Sequence, residues 1–223
     1  MPELYIITGS NGAGKSTVGF TYLPENIRNN YTVFDGDKLF AQKRKELYPN
    51  PIPVFKEAGR IAGEWLNEHF IESVNDALSM KDHFVYEGHF RDDSSWEIPK
   101  KFKKQSYSIN LIFLGLSDQG LSESRVIKRT EFGGHYVPPA EIDLNFRGNL
   151  IMLDKYFDII HDLKIIDSSE SEHLPLLYLL NGKVKDSVSV DDLPQWFKAF
   201  LPSLTELFPK QKQEKKRGKS LGR

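Results

Sequence analysis

Short apolar runs alternate with longer segments of mixed polarity along most of the chain. The runs are rich in Leu, Ile, Val and Phe, which is typical of buried strands. We predict strands at Leu4–Thr8, Tyr31–Phe34, His83–Tyr86, Ser108–Leu116, Leu163–Ile166 and Leu174–Leu180. After the last strand the chain turns at Asn181-Gly182 and returns through Lys183–Val190.

The segments between the strands carry apolar residues at helical spacing. The clearest helix runs from Val54 to about Met80, where apolar side chains recur every three or four residues. Shorter helices are predicted at about Ser16–Tyr22, Ser94–Gln105 with a break near Pro99, Gly120–Arg129, Ala140–His161 and Leu193–Leu201. Lys38–Lys45 is a polar segment without an assigned element, and the three prolines of 48–54 predict a loop.

This alternation predicts a mostly parallel sheet of five to six strands. Parallel neighbours need crossover connections, and crossover helices cover the faces of the sheet. The expected architecture is therefore a three-layer α/β/α sandwich. Polar clusters follow the first three predicted strands, and the carboxyl ends of parallel strands meet at one edge, where ligands bind.

A glycine-rich turn follows the first strand and fits G-x-x-x-x-G-K-[ST], the P-loop pattern. Its members are Gly9, Ser10, Asn11, Gly12, Ala13, Gly14, Lys15, Ser16 and Thr17. Glycines let the backbone N–H groups approach phosphate oxygens, and the following helix N-terminus adds partial positive charge. Lys15 can reach the β- and γ-phosphates and the Ser16 hydroxyl can ligate Mg²⁺. The turn predicts a P-loop NTPase fold that binds a nucleoside triphosphate.

Asp35 and Asp37 come directly after the second predicted strand. A carboxylate beside an acceptor hydroxyl can orient it and take its proton during phosphoryl transfer. The alternative is that the two aspartates cap the following helix or form an Asx turn.

Glu87 follows the third predicted strand, with His89 and Arg91 at spacings of two. Glu87 can position a metal ion or accept hydrogen bonds from substrate, and the sequence leaves both roles open. In an extended segment the three side chains share one face. Arg91 can then bind a substrate phosphate with two hydrogen bonds, or form a surface ion pair with a neighbouring aspartate.

Arginines on the predicted helices after the fourth strand are candidates for binding phosphate charge. Arg125 and Arg129 lie four residues apart on one helix face, and Arg147 lies on the next helix. Such arginines can offset charge in the transition state; the alternative is a solvated helix face paired with nearby acids. The segment of about 120–150 is the predicted lid, with Gly133-Gly134 as its hinge.

Charge is distributed unevenly along the chain, although the net charge is only −1. Residues 1–209, the predicted single domain, carry 23 basic and 30 acidic residues, whereas 210–223 carry seven basic residues and one acid. We expect 210–223 to be a disordered basic tail that solubilises the protein or contacts nucleic acid or an acidic partner. The acidic remainder argues against a long polyanionic substrate.

The remaining composition narrows the class of protein. The chain has no cysteine, which excludes disulfides, thiolate metal sites and a cysteine nucleophile. No run approaches the ~18 apolar residues of a membrane span, and no signal-peptide pattern opens the chain. We expect a soluble cytoplasmic protein.

Taken in order, the motifs resemble the zeta-toxin family of P-loop kinases over roughly residues 4–168. Besides the P-loop, Phe34–Phe40 resembles the acid motif of the family's second strand, and Tyr86–Arg91 resembles its E-G-T-x-R substrate motif. Arg125–Arg129 with Gly133–Pro138 and Arg147 is more weakly similar to the R…GGH-x-VP…R pattern of shorter bacterial members.

The resemblance implies a kinase that uses ATP and Mg²⁺ to phosphorylate a sugar hydroxyl; some family toxins phosphorylate UDP-N-acetylglucosamine. It implies the following roles: Asp37 as general base, Lys15 as phosphate lysine, Glu87 and Arg91 as substrate contacts, and one of Arg125 and Arg129 together with Arg147 as phosphate clamps. By their positions after the strands, we also expect Asp35 and His89 at the substrate. His89 is a departure, because the toxins usually carry Thr there. A cognate antitoxin would be a separate chain.

Two other functions fit the same residues. One is a nucleoside, nucleotide or polynucleotide kinase on the same scaffold. The other is a nucleotide-binding switch or partner module with little turnover, which would tolerate loss of Asp37.

Overall fold

The strands of the molecule form one sheet in a computed structural model that describes residues 1–47, 55–132 and 136–209. Within these ranges the sheet has seven strands in the order β2-β3-β1-β4-β5-β6-β7. The strands are β1 Glu3–Gly9, β2 Phe34–Asp35, β3 Phe84–Glu87, β4 Ser108–Gly115, β5 Asp162–Asp167, β6 Leu174–Leu180 and β7 Lys183–Ser187. The first five are parallel, and β6 and β7 are antiparallel. The predicted, mostly parallel sheet is confirmed, and the return segment adds a seventh strand.

Helices lie between the parallel strands and after the last strand, and they cover both faces of the sheet. They are α1 Lys15–Val18, α2 Glu25–Asn30, α3 Gly36–Leu47, α4 Phe55–Met80, α5 Glu97–Lys104, α6 Gln119–Glu131, α7 Pro139–Tyr156, α8 Gln195–Phe200 and α9 Pro202–Thr205. All eight residues of β4 are buried, so side chains pointing to either face are covered. This burial confirms the predicted three-layer arrangement. Within the described ranges, no helix combines the length and the apolar character that crossing a membrane requires.

Several element boundaries differ from the sequence predictions. The second strand is only Phe34–Asp35, because at the sheet edge it pairs with β3 alone through these two residues. The polar segment Lys38–Lys45 lies inside α3. Pro99 does not break α5, since it occupies the first turn, where backbone N–H groups have no partner within the helix. The helix predicted to reach His161 ends at Tyr156.

The predicted lid divides into two parts with different packing. Phe146, Leu150 and Leu153 of α7 belong to the main hydrophobic core, so this helix is part of the protein body. Val126 of α6 packs instead in a small separate cluster with Val137 and Ile142. A lid role for α6 stays a prediction. The predicted loop 48–54, the hinge Gly133-Gly134 and the basic tail 210–223 lie outside the described residues.

Candidate active site

The P-loop turn depends on glycine at three positions. Gly9, Gly12 and Gly14 have φ angles of 143°, 73° and 89°, a region that side chains with a Cβ rarely adopt. A Cβ on Gly9 would also lie 2.1 Å from the carbonyl oxygen of Leu114 on β4. The chain can therefore leave β1, turn tightly beside β4 and start α1 only with glycine at these positions.

Lys15 lies under this turn and is buried. Its Nζ donates hydrogen bonds to the carbonyl oxygens of Gly9 at 3.1 Å and Ser10 at 3.0 Å. Burial lowers the pKa of Lys15, and the negative charges of Glu87 and Asp37 oppose that shift. The predicted phosphate lysine is thus held at the P-loop, between the loop carbonyls and two carboxylates.

Glu87 ends β3 beside the P-loop, in register with Ile7 of β1 and Asp35 of β2. The Ser16 hydroxyl donates a hydrogen bond to Glu87 Oε1 at 2.6 Å. Burial raises the pKa of Glu87, while the charge of Lys15 and the hydrogen bond from Ser16 lower it. The parallel sheet thus places this carboxylate against the serine of the phosphate-binding turn.

A small cleft, here called the P-loop cavity, brings together most of the residues singled out by sequence. It has a volume of about 170 Å³. Its lining comprises Asn11, Gly12, Gly14, Lys15, Ser16, Thr17, Asp37, Glu87, Arg125 and Arg129. Both signs of charge meet there, as binding of phosphates together with a cation requires.

The oxygen ligands in the P-loop cavity fit Mg²⁺ bound together with a nucleotide. Among the described residues, no group of three or more His, Cys, Asp or Glu side chains is arranged to hold a metal ion. Mg²⁺ at nucleotide sites needs only one or two carboxylates, because phosphates and waters complete its shell. The adjacent Ser16 hydroxyl and Glu87 carboxylate satisfy that requirement.

The two aspartates after β2 have different surroundings. Asp35 Oδ1 accepts a hydrogen bond from the backbone N–H of Lys38 at 3.0 Å, which makes Asp35 a cap of α3, one of the two roles considered from the sequence. Asp37 lies in the first turn of α3 and lines the P-loop cavity. Asp37 is thus the aspartate whose side chain borders the phosphate-binding turn.

A second cavity, here called the aromatic pocket, adjoins the first through Glu87. It has a volume of about 350 Å³. Its lining comprises Phe34, Gly36, Leu66, Asn67, Phe70, Tyr86, Glu87, Gly88, His89, Phe90, Ser94, Ser95 and Ile98. A larger cavity of about 480 Å³ lies between Tyr22 and strands β5 to β7, and none of the predicted site residues lines it.

Sequence reasoning missed most of the aromatic pocket. Leu66 and Phe70 belong to the periodic apolar face of α4, and Ile98 lies at the start of α5. Periodicity identifies such residues as facing inward, but it does not separate a packed core from the wall of a cavity.

His89 is held by side-chain amides on both sides of its ring. Its Nε2 lies 3.4 Å from Asn11 Nδ2 of the P-loop, and its Nδ1 lies 3.1 Å from Asn149 Nδ2 of α7. Burial lowers the pKa of His89 well below its usual value, and the charges of Lys15 and Arg91 add to this shift. The lowered pKa favours the neutral ring, which connects the aromatic pocket to the phosphate-binding turn.

Two buried asparagines on α7 complete this network, and sequence reasoning missed both. Asn145 Nδ2 donates to Asn11 Oδ1 at 2.9 Å, and Asn145 Oδ1 accepts from Arg91 Nη1 at 3.0 Å. Asn149 donates to the carbonyl of Gly9 and accepts from the backbone N–H of Phe90. Their burial could have been predicted from the sequence, because both asparagines occupy positions on the apolar face of α7.

The predicted phosphate arginines have different partners. Arg125 lines the P-loop cavity, but its guanidinium donates to the carbonyl oxygens of Gly12, Ser168 and Ser169. Arg129 lines the same cavity one helical turn further on. Of the predicted clamps, these two are brought to the site.

Arg91 and Arg147 lie outside both cavity linings as the chain is folded. Arg91 lies 3.7 Å from Glu141 and 3.9 Å from Asp92 in addition to bonding Asn145. Arg147 forms an ion pair with Asp143 at 2.7 Å. Because Arg147 is two residues from both Asn145 and Asn149, its side chain lies on the opposite face of α7 from theirs. The roles of both arginines at phosphate stay predictions.

Known structures with a similar fold were found by comparison. Three findings from solved structures show the fold. The complex of AvrRxo1-ORF1 with AvrRxo1-ORF2 and ATP gives a TM-score of 0.67 at 11% identity, covering 90% of this chain and 64% of that chain. The same pair with sulphate ions gives 0.63 at 12% identity, covering 95% and 78%. The PezAT toxin–antitoxin system of Streptococcus pneumoniae gives 0.58 at 18% identity, covering 96% and 81%.

Sequence comparison identifies the family. No curated protein matches the chain at a significant level. The family model described as zeta toxin matches residues 1–174, which include the P-loop, both aspartates after β2, Glu87, His89 and the arginines of α6 and α7. The expectation from the motifs is therefore confirmed, and this chain belongs to the zeta toxin family.

Proposed function

We propose that this protein is an ATP-dependent kinase that transfers the γ-phosphate to a hydroxyl group of a small molecule. One observation carries the proposal: the P-loop cavity and the aromatic pocket adjoin at Glu87, so a phosphate donor and an acceptor can meet there. Membership of the zeta toxin family and the ATP in the AvrRxo1 complex support the choice of nucleotide.

The residues of the P-loop cavity have separate roles in phosphate transfer. The P-loop N–H groups and Lys15 bind the phosphates, and Lys15 exchanges the carbonyls of Gly9 and Ser10 for phosphate oxygens. Ser16 and Glu87 would hold Mg²⁺, which when bound neutralises phosphate charge. Arg129, which also lines the cavity, supplies further positive charge.

Asp37 is the proposed general base. The oxygen of the acceptor hydroxyl forms a bond to the γ-phosphorus while the bond from that phosphorus to the β–γ bridging oxygen breaks, so ADP leaves. The hydroxyl proton passes to the Asp37 carboxylate. Asp37 is exposed at the start of α3 and lines the cavity, where an acceptor can reach it.

Substitution of Asp37 tests this assignment. We expect Asp37→Asn to bind ATP normally and to lose transfer by about 10²–10⁴-fold, because only proton transfer is removed. ATP binding and transfer of label from γ-labelled ATP are measured separately. Glu46→Gln, an exposed change at the other end of α3, is the matched control. Near-normal transfer by Asp37→Asn would show that the base has been assigned wrongly.

The acceptor is found by offering γ-labelled ATP together with a panel of compounds. The family resemblance suggests nucleotide sugars such as UDP-N-acetylglucosamine, and the panel adds nucleosides, simple sugars and RNA ends. Label on one of these compounds is the expected result. ATP binding without label on any of them would favour a nucleotide-binding switch over a kinase.

A protein partner is a further part of the proposal. The PezAT neighbour is described as a toxin–antitoxin system, and the AvrRxo1 neighbour is a complex of two proteins. We expect an antitoxin-like chain that lowers phosphate transfer when it is bound. Co-purification with a co-expressed candidate, followed by the labelled-transfer assay, tests this; a stable complex with unchanged transfer would argue against inhibition.

A further inference from the structure

The lining of the aromatic pocket is mostly apolar, and it includes the carboxylate of Glu87. Six of its side chains are aromatic or aliphatic: Phe34, Leu66, Phe70, Tyr86, Phe90 and Ile98. Its polar side chains are those of Asn67, Glu87, His89, Ser94 and Ser95. Neither lysine nor arginine is among the residues that line the pocket in the described part of the chain, so Glu87 carries its charge.

Two cations of the neighbouring elements have partners outside the pocket lining. Lys43 of α3 lies 5.0 Å from the centre of the Trp65 ring and 3.6 Å from Glu46. Arg91, which follows the pocket residues of β3, contacts Asn145 and Glu141. A phosphate group in the pocket would therefore meet the Glu87 carboxylate without a guanidinium or ammonium group among the described residues of the pocket lining. Lys15 and the Mg²⁺ proposed at Ser16 and Glu87 belong to the P-loop side of that carboxylate.

This environment separates acceptors by their charge. Moving a phosphate out of water is costly unless cations or several N–H donors compensate for the lost hydration. A neutral ring system incurs no such penalty and gains from contact with the aromatic side chains. Phe70 and Phe34 have ring centres 5.1 Å apart, and Phe70 and Tyr86 5.6 Å apart, so the rings form a continuous wall.

We propose that the acceptor is an uncharged alcohol carrying a flat or apolar group, the class that includes nucleosides and aryl glycosides, rather than a nucleotide or nucleotide sugar. This inference rests on the proposed kinase function. The flat group lies against the wall of Phe34, Phe70 and Tyr86, and the hydroxyl points toward Glu87, where the pocket meets the P-loop cavity.

Matched pairs of acceptors test the inference with the intact protein. 4-Nitrophenyl N-acetylglucosaminide and UDP-N-acetylglucosamine offer the same sugar with a neutral ring or a charged diphosphate. Uridine and UMP form a second pair. In a pair of which at least one member is phosphorylated, we expect kcat/KM for the neutral member to exceed that for the charged member by about tenfold or more.

A charge introduced into the pocket provides an independent test. Ser94 is exposed and lines the pocket, so Ser94→Arg places a guanidinium in its wall. We expect the preference within a pair to shift toward the charged member by about fivefold or more. Ser79→Arg, the same change at an exposed position near the end of α4, is the control and should leave the preference unchanged.

The possible outcomes separate this inference from the proposed function. If the charged members are phosphorylated better by the unaltered protein, the inference is wrong and the kinase proposal stands. An unchanged preference in Ser94→Arg, with its fold verified by circular dichroism, would show that the acceptor binds outside the aromatic pocket. If ATP binds and no compound accepts label, the kinase proposal fails and the inference fails with it.

Discussion

Asn149 illustrates how a single buried side chain can connect three parts of the site. Its Oδ1 accepts from the N–H of Phe90 after β3, and its Nδ2 donates to the carbonyls of Gly9 and Asn145. Its Nδ2 also lies beside His89. An amide has both donors and an acceptor in one plane, which suits a position between a carbonyl and an N–H group.

Removal of this amide is expected to destabilise the protein. Asn149→Ala leaves the buried N–H of Phe90 without its partner, and we expect the free energy of unfolding to fall by about 1–3 kcal/mol. Urea denaturation measures the change. Asn75→Ala, an exposed asparagine on α4, is the control and should change stability by less than about 0.5 kcal/mol. Equal effects of the two changes would contradict the bridging role.

Asp162 at the start of β5 makes stability depend on pH. Burial raises its pKa above the usual value, although the charge of Lys164 and the hydrogen bond from Tyr178 oppose the shift. A carboxyl that binds its proton more tightly when folded favours folding most at low pH, and this advantage is lost as pH rises through the folded pKa.

We therefore expect Asp162→Asn to be more stable than the unaltered protein at neutral pH, with the difference shrinking as the pH falls toward about 4. Urea denaturation at several pH values provides the measurement. Asp158→Asn, the same change at an exposed position nearby, is the control for the substitution itself. A difference independent of pH would argue against a raised pKa at Asp162.

At the residue scale, sequence reasoning identified the P-loop side chains, Asp37 and Glu87, because each belongs to a local motif at a strand end. It could not choose between capping and catalysis for Asp35, since both need a carboxylate in the same place. Asn145 depends on Asn11, a residue distant in the chain, and no local pattern reports such a contact.

Among the elements, α7 contacts the P-loop through Asn145 and Asn149. Gly148 lies against the segment after β3, where a Cβ would be 2.5 Å from the carbonyl oxygen and 2.7 Å from the Cβ of Arg91. Glycine at this position lets the helix approach that backbone closely enough for Asn145 and Asn149 to reach the P-loop.

Paired glycine substitutions test this close approach. We expect Gly148→Ala to lower the free energy of unfolding by about 1–3 kcal/mol, because either the helix or the Arg91 segment must move. Gly59→Ala on α4 has no atom within 4 Å of the new Cβ, so it should raise stability by about 0.4–1 kcal/mol through helix propensity and reduced unfolded-chain entropy. Chemical denaturation of both variants gives the two values, and equal signs would contradict the packing argument.

The elements themselves were predictable where the pattern was long and periodic, as in α4. The boundaries of an element could not be predicted where pairing with a distant part of the chain determines them. The edge strand β2 has two residues because, within the described part of the chain, it pairs with β3 alone, at Tyr86 and Glu87. Helix α3 has a polar sequence and no buried residue, so its helical structure follows from capping by Asp35 and packing on α4 rather than from periodicity.

At the scale of the whole molecule, the sheet order brings distant motifs together. The order β2-β3-β1-β4 sets the ends of β1, β2 and β3 side by side, which collects the P-loop, Asp37 and Glu87. The rule for parallel sheets predicted this convergence. The order itself was not predictable, because pairing joins strands that are far apart in the chain.

Nucleotide binding is expected to stabilise the whole fold through this convergence. A ligand that binds only the folded state adds about 2.7 kcal/mol at a concentration 100 times its Kd. For a chain of this size that corresponds to a rise in Tm of roughly 5–10 °C. Thermal unfolding with and without ATP and Mg²⁺ measures the shift, and AMP, which lacks the β- and γ-phosphates, should give a smaller one.

Lys15→Ala should remove most of the rise in Tm with ATP and Mg²⁺. The buried ammonium group of Lys15 is the cation held against the P-loop carbonyls, and the variant lacks it. Lys104→Ala, an exposed change at the end of α5, should keep the full shift. The comparison uses the difference between bound and free protein for each variant, so any intrinsic loss of stability in Lys15→Ala cancels. If Lys15→Ala gives the same rise in Tm with ATP, the phosphates do not bind at the P-loop, and the kinase proposal loses its donor site.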